Sequence, residues 1–358
     1  MSGKRRMYSP EEYLRVRKRN YMILGIAGIA CVIATYVSMV ANDNHMSLVD
    51  ITTTIINHLN GVPFEDTRQE FEDFFVFDFY IPRAIGCVTI GAILSVGGAI
   101  MQTIIRNPLA DPFTTGISSG ALLGVSLSIV FGIGFGLSYS LNLMAMAFLF
   151  SMLPCGIIII FTFFKQATSG VIVLIGIAVS YVFSACSTLV MYSADTMDYE
   201  KIYHWSLGSL SNIRPDSWMV LTASAIVMIA ILMYMSKRIN IASVDDKLAT
   251  SLGVNSPRTR IICLLVGSAF TAISVSYAGT IGFVGLIIPN IARKIVASDS
   301  KILIPFSAIL GGMFLLVCDI IARSVILGGI SVGIITAFIG GPMMLFILLK
   351  MKKNAWSN

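Results

Sequence analysis

Ten apolar runs divide this sequence, at roughly 21–41, 84–104, 114–135, 143–164, 171–191, 218–236, 261–281, 284–296, 302–323 and 331–349. A run of about 20 apolar residues is the length that crosses a bilayer, and in lipid a single segment satisfies its own backbone only as a helix. The fold class expected is therefore an all-α polytopic membrane protein of about ten transmembrane helices. Composition agrees: 56% of the 358 residues are hydrophobic and 12% charged, about half the charge that covers an ordinary soluble domain. A soluble enzyme is excluded, and the spans leave no room for another large domain.

Basic residues set the expected orientation. Lys4, Arg5, Arg6, Arg15, Arg17, Lys18 and Arg19 precede the first run, and NDNH at 42–45 follows it without a small-residue cleavage site, so the run reads as a retained helix. With that end inside, 20 of the 25 Lys and Arg residues fall on the inner side and five, Arg68, Arg83, Lys201, Arg214 and Arg323, on the outer. The expected organisation is a cytoplasmic basic segment over 1–20, a ten-helix membrane domain over 21–350 and a cytoplasmic tail over 351–358. Both termini lie inside. This bias accounts for most of the net charge of +6 without nucleic acid.

Two connections stand out. The outer one, 42–82, sets Asp43, Asp50, Glu65, Asp66, Glu70, Glu72, Asp73 and Asp78 against Arg68 and reads first as a solvated acidic loop. The inner one, 237–260, places Ser243 and Asp245 as caps before a helical pattern at Lys247–Leu252, with Gly253 as its stop. It predicts a short helix on the inner face, either packing filler or a handle for a partner. The eighth run, 284–296, is short and is preceded by GTIGF. Such an interrupted helix is tolerated where it is buried in protein or lines a cavity, which makes it a candidate for a solute path.

Reaction chemistry is missing. There is no GxxxxGK[ST] phosphate loop, HExxH or GxSxG; His45, His58 and His204 lack partner spacing; and Cys31, Cys87, Cys155, Cys186, Cys263 and Cys318 sit singly as small core residues. No catalytic or metal-binding residue is expected. Asp319 and Arg323, four apart near the outer end of the ninth run, suit a local ion pair, with Arg323 as an outward docking charge the alternative or companion reading. Arg83 shows no intramembrane partner. Small residues such as Gly91, Gly97, Gly98, Gly120 and Gly124 favour close helix packing, while Ser180, Ser184 and Ser187 could instead line a polar conduit.

Three stretches carry a resemblance. GAILSVGGAIMQTIIRNPLADPFTTGISSGALLGV (Gly91 to Val125), SYAGTIGFVGLIIPNIAR (Ser276 to Arg293) and VGIITAFIGGPMM (Val332 to Met344) resemble the signature stretches of the FecCD permease family. The family supplies the membrane subunits of type II ABC importers for iron–siderophore complexes, haem and cobalamin. Its marks here are Asn107, Pro108, Asp111 and Pro112 of NPLADP, and Gly282, Gly285 and Pro289 of GFxGLIxPxxxR. The likeness runs from about residue 80 to the C-terminus.

The resemblance implies a cobalamin-importer-like fold in a bacterial or archaeal plasma membrane. It implies a dimer with a second copy or a related permease. It also implies ABC ATPase subunits on the cytoplasmic side that use ATP and Mg, and an extracytoplasmic binding protein or lipoprotein outside. The chain itself would bind no cofactor. Position by position, Ala249, Leu252 and Gly253 fall in the AxxLG pattern of the ATPase-contacting loop, and Arg83 and Arg323 match docking arginines. Tyr80 replaces the first arginine of the family's RxPR turn. Thr168, Ser169 and Asn290 fall on the path or its inner gate, Asn290 where the family often has His, and Gly329 and Ser331 stand where it usually has Glu and Pro. The expected function is uptake of a chelated iron compound, most simply iron–siderophore, with haem or cobalamin as alternatives. An ion-coupled secondary transporter and a flux-free scaffold or sensor are the rivals from other classes; the first lacks a visible mid-membrane proton site.

The orientation is testable by cysteine labelling in a cysteine-free background. Cysteines at Ser298 and Asn354 should react only from the cytosolic side, and one at Asn60 should react with an impermeant reagent outside. Outside labelling of Asn354 overturns the ten-span topology.

Overall fold

A computed structural model describes residues 10–41, 46–64, 66–165, 169–325 and 329–355. Every expected run is a helix: α1 (Pro10–Ser38), α4 (Ile81–Ile105), α5 (Ile117–Phe131), α6 (Tyr139–Lys165) and α7 (Ser169–Tyr192). The second half adds α9 (Pro215–Ala242), α11 (Ser256–Ala278), α12 (Val284–Val296), α13 (Ser300–Ser324) and α14 (Val332–Ala355). Four further helices lie between them: α2 (Leu48–Leu59), α3 (Thr67–Phe75), α8 (Thr196–Ser206) and α10 (Asp246–Ser251). No strand occurs among the described residues. Among the described residues seven helices are long and apolar enough to span, while α5 is among the shorter apolar ones and α12 has only 13 residues. The chain is a multi-pass membrane protein.

The centre is α4, which packs against α9, α11, α12 and α13 and is buried along nearly its whole length. Glycine makes this possible. A Cβ on Gly98 would overlap the backbone of Gly285 in α12, and one on Gly91 would overlap that of Gly311 in α13. With no side chain between them the helices meet backbone to backbone, and in lipid, where apolar burial drives nothing, dense contact of this kind holds helices together. The outer ring is the reverse: Ile26, Ile29, Val32 and Ile33 of α1 are exposed and apolar, as a lipid-facing surface requires. Five cysteines are buried as expected, but Cys186 on α7 is exposed, because that helix keeps only a narrow face against the chain.

The acidic connection is not an open loop. Ser47 and Asp50 form a capping box at the start of α2, Asp66 caps α3 by accepting from Gln69 N at 2.8 Å, Glu72 accepts from Arg68 at 2.7 Å, and Asp73 meets His58 at 2.8 Å. Acids placed at helix starts and beside bases use their charge locally. His58, expected to lack a partner, also stacks on Phe77 with centroids 3.9 Å apart.

Nor is there a turn at Tyr80–Arg83. Helix α3 runs through a π-type turn (Val76–Tyr80) straight into α4, with Ile81 N–H reaching Val76 O. Pro82 offers no N–H, and the wider turn carries the helix past it. At the other end of α4, the short helix expected over Lys247–Leu252 is present as α10, capped by Asp245, with Gly253 at φ 76° ending it; Ser243 instead caps the end of α9.

The glycine contacts should be essential. Gly98→Val should lose at least the upper end of the roughly 1–3 kcal/mol typical of overpacking, because backbone and not a movable side chain is displaced. Gly25→Val, with nothing within 4 Å, should be neutral by comparison. Thermal unfolding in detergent distinguishes the two.

Candidate functional site

Polar groups gather at the two ends of α4, about 37 Å apart for 25 residues at 1.5 Å each. At its first turn, Arg83 meets Asp319 of α13. Arg83 donates from Nη2 at 2.8 Å and from Nε at 3.1 Å to Oδ1, while Arg323 Nη2 lies 2.9 Å from Oδ2. Asp319 is fully buried. Arg323 continues to the last turn of α1, donating to the carbonyls of Ser38 (3.0 Å) and Ala41. The i,i+4 pair expected from the sequence is there, but Arg83 completes it, which corrects the expectation that Arg83 lacks an intramembrane partner. One carboxylate between two guanidiniums leaves a net positive cluster tying α1, α4 and α13.

Beside it lies a cavity of about 200 Å³ lined by Arg83, Arg323, Ser209, Ser211, Gly329 and Ser331. Gly329 has φ 72°, a left-handed conformation a glutamate would strain. A neighbouring cavity of about 330 Å³ shares Ser209, Ser211 and Ser331 and adds Lys201, His204, Trp205 and Tyr277. Helix α8, which supplies the first three of these, carried no periodic apolar signal by which the sequence could announce it.

At the last turn of α4 the signature stretches come together. Arg106 ends the helix in a left-handed conformation (φ 54°) and opens the NPLADP turn. Within that turn Asn107 Oδ1 accepts from Leu109 N at 2.9 Å, and Pro108 O accepts from Asn290 Nδ2 at 3.0 Å. Gln102 Nε2 donates to Leu286 O at 3.0 Å, and Arg293 donates to Ala99 O and Thr103 Oγ1, each at 2.9 Å, as well as to Gln102. Asp111 is buried against Gly285, where a Cβ would strike its carboxylate, and Pro112 starts the 3₁₀ turn leading to α5. Burial pushes the Asp111 carboxyl up to about 7. Asn290 is thus a strut from α12 to the NPLADP turn. Phe283, in left-handed conformation, launches α12 just after Gly282, and Pro289 is buried within that helix.

Beyond the NPLADP turn lies α10. Ala249 is fully buried against its own chain, so it is not the surface a partner meets; that expectation is corrected. Exposed instead are Leu248 within α10 and Leu252 at its C-cap, four residues apart, together with Val244 just before the N-cap. Leu252 was named from its motif, whereas Leu248, one helical turn before it, was missed although that spacing signalled it. Gly253 N–H donates to Thr250 O and Val254 N–H to Ala249 O, closing the helix. Asp246 pairs with Arg106 at 2.6 Å and Arg260 at 3.5 Å. Partial burial works against its charge, but the Arg106 hydrogen bond and the two guanidiniums hold its carboxyl below the ordinary range. Ser169 is the first residue of α7, and Thr168 lies outside the described residues. No cluster able to hold a metal occurs among the described residues.

The profile of the FecCD transport family matches residues 30–350. A Methanocaldococcus jannaschii protein assigned as an ABC transporter permease is 34% identical over 96% of this chain and 99% of its own. A Helicobacter pylori protein assigned as an iron chelatin transport permease is 31% identical over 90% and 97%. Molybdate and vitamin B12 import permeases are also similar, at 32% and 31% identity. A solved inward-facing transporter assigned to the metal-chelate ABC type superposes with a TM-score of 0.79 at 28% identity, covering 92% of this chain and 99% of that one.

The Arg83–Asp319–Arg323 cluster has an asymmetric consequence. Asp319→Ala leaves two largely buried cations without their counter-charge and should cost about 3–5 kcal/mol. Arg83→Ala, which leaves Arg323 on Asp319, should cost clearly less. Equal melting temperatures for the two variants in detergent would contradict this.

Proposed function

The chain belongs to the FecCD transport family, and on that premise we propose that it is the membrane permease of an ATP-driven importer for a chelated iron compound, an iron–siderophore complex first. The observation that carries this reading is the arrangement around α10. A short helix presents the exposed apolar pair Leu248 and Leu252 away from its own chain, and its first residue is joined to Arg106, which opens the NPLADP turn that grips α12. An exposed apolar pair of this kind marks a protein contact. The partner is an ABC ATPase on the cytoplasmic side, which holds ATP and Mg at its own site. At the opposite end of α4, the paired cavities and the net positive cluster receive the extracytoplasmic binding protein or lipoprotein and its cargo. Arg83 and Arg323 act there with Asp319 as their shared anchor.

A second permease, identical or related, completes the path. Leu174, Tyr181 and Leu189 of α7 and Phe338 and Leu345 of α14 are exposed apolar residues for it to cover. The solute then passes the α12 segment and leaves at the inner gate near Thr168 and Ser169, with both termini of the chain cytoplasmic. The metal-chelate and iron chelatin relatives support iron. The molybdate and vitamin B12 relatives make those cargoes, with haem, the second reading.

Coupling is tested on the exposed pair. Leu248→Glu and Leu252→Glu should leave membrane insertion intact, remove the ATPase from the purified complex and lower uptake of radiolabelled ferric siderophore by proteoliposomes at least tenfold. Uptake that persists without the ATPase overturns the importer reading, and ATP-driven uptake of molybdate or cobalamin in place of iron redirects the cargo.

A further inference from the structure

Three helix ends converge on one carboxylate at the last turn of α4. Asp246, the first residue of α10, takes Arg106 Nη2 at 2.6 Å and lies 3.5 Å from Arg260 Nη2. Arg106 closes α4, and the same Nη2 donates to the carbonyl of Ala242 at the end of α9 at 2.7 Å. Arg260 stands in the second turn of α11 and is buried, its Nε without an acceptor. A six-residue helix is far too short to hold its own shape or position in water. What places α10 is therefore its cap, the buried Ala249 and this pair of guanidiniums.

The link continues inward without a soft segment. Arg106 is one of three non-glycine residues with positive φ among those described, a conformation its surroundings must impose. Directly after it, Asn107 N–H bonds back to Gln102 O at 3.2 Å, and Pro108 O holds Asn290 of α12. Gln102 itself reaches Leu286 O in α12. One ion pair, one fixed turn and one amide hydrogen bond thus separate the exposed helix α10 from the interrupted helix α12.

Stability does not explain the ion pair. Asp246 keeps half of its side chain in solvent, and exposed ion pairs contribute little to folding. Its geometry is what matters: a short, directed contact to the residue that opens the NPLADP turn. Nothing else on α10 touches that turn through a charge.

We propose that Asp246 is the strut that transmits motion between α10 and α12, with Arg106 and Arg260 as the positioning residues that hold it. The proposal rests on the reading that α10 faces an ATPase, and it goes further in saying how the contact is turned into movement of the path. Coupling of this sort needs an element that both sites bias, and the α10–Arg106 unit is placed for that role, bonded on one side and exposed on the other.

The test uses the assembled complex of permease, ATPase and binding protein in nanodiscs, with three measurements: ATPase retained on purification, basal ATP hydrolysis, and hydrolysis stimulated by the binding protein. Asp246→Asn should retain the ATPase and keep basal hydrolysis within twofold, yet lose stimulation at least tenfold. Asp246→Glu should recover part of it. Wild-type stimulation in Asp246→Asn overturns the proposal, and so does loss of the ATPase from that variant, which would make Asp246 part of an adhesive surface and nothing more. A wild-type permease that retains no ATPase would refute the underlying reading itself, so the two failures are distinguishable.

Discussion

Bare backbone contact between α4 and its neighbours is the condition on which the rest of this structure depends. Where Gly98 lies on Gly285 and Gly91 on Gly311, no side chain intervenes. A membrane protein cannot rely on water to push helices together, so density of contact substitutes for it. Close approach also fixes everything attached to the helices. Because α12 is pinned to α4 at Gly98, Asn290 arrives at Pro108 and Arg293 at Ala99 within hydrogen-bond reach. A wider spacing would leave those polar side chains facing nothing, at a cost lipid makes severe.

Charge is handled by the same logic. Asp319 is buried, and an unpaired carboxylate at that depth is not sustainable. Two arginines from different helices answer it, and one of them goes on to cap the carbonyls that end α1. The result is both neutralisation and a fixed angle between three helices at the first turn of α4. At the last turn of α4 Asp246 plays a lighter part between Arg106 and Arg260, half in water, where strength matters less than direction.

Much of this was legible in the sequence, and the failures share a cause. Periodicity and length located every apolar helix, and Gly253 after Leu252 identified the end of α10, since those signals are local. The i,i+4 spacing of Asp319 and Arg323 likewise declared their pairing. Arg83 stands 236 residues from Asp319, and no local pattern links them. Ala249 was recognised by its motif but assigned the wrong side, because a motif says that a position matters without saying which way it faces. The acidic connection misled for a related reason: Asp50, Asp66 and Asp73 look like solvating charge until caps and partners are counted. At the candidate site, the turn residues Asn107 to Pro112 were visible and their grip on Asn290 was not.

The π-type turn at Val76–Tyr80 bears on how such a chain can change over generations. A π turn accommodates one residue more than an α turn within an unbroken helix. Insertions or deletions arising in the α2–α3 hairpin can be absorbed there, before the helix reaches Pro82 and Arg83, so the rotation of the buried glycine face below stays constant. The hairpin is in effect a cap on a continuous shaft. Its shape is free to drift with whatever it meets outside, while the register of Gly91, Gly98 and Arg106 relative to their neighbours is left untouched.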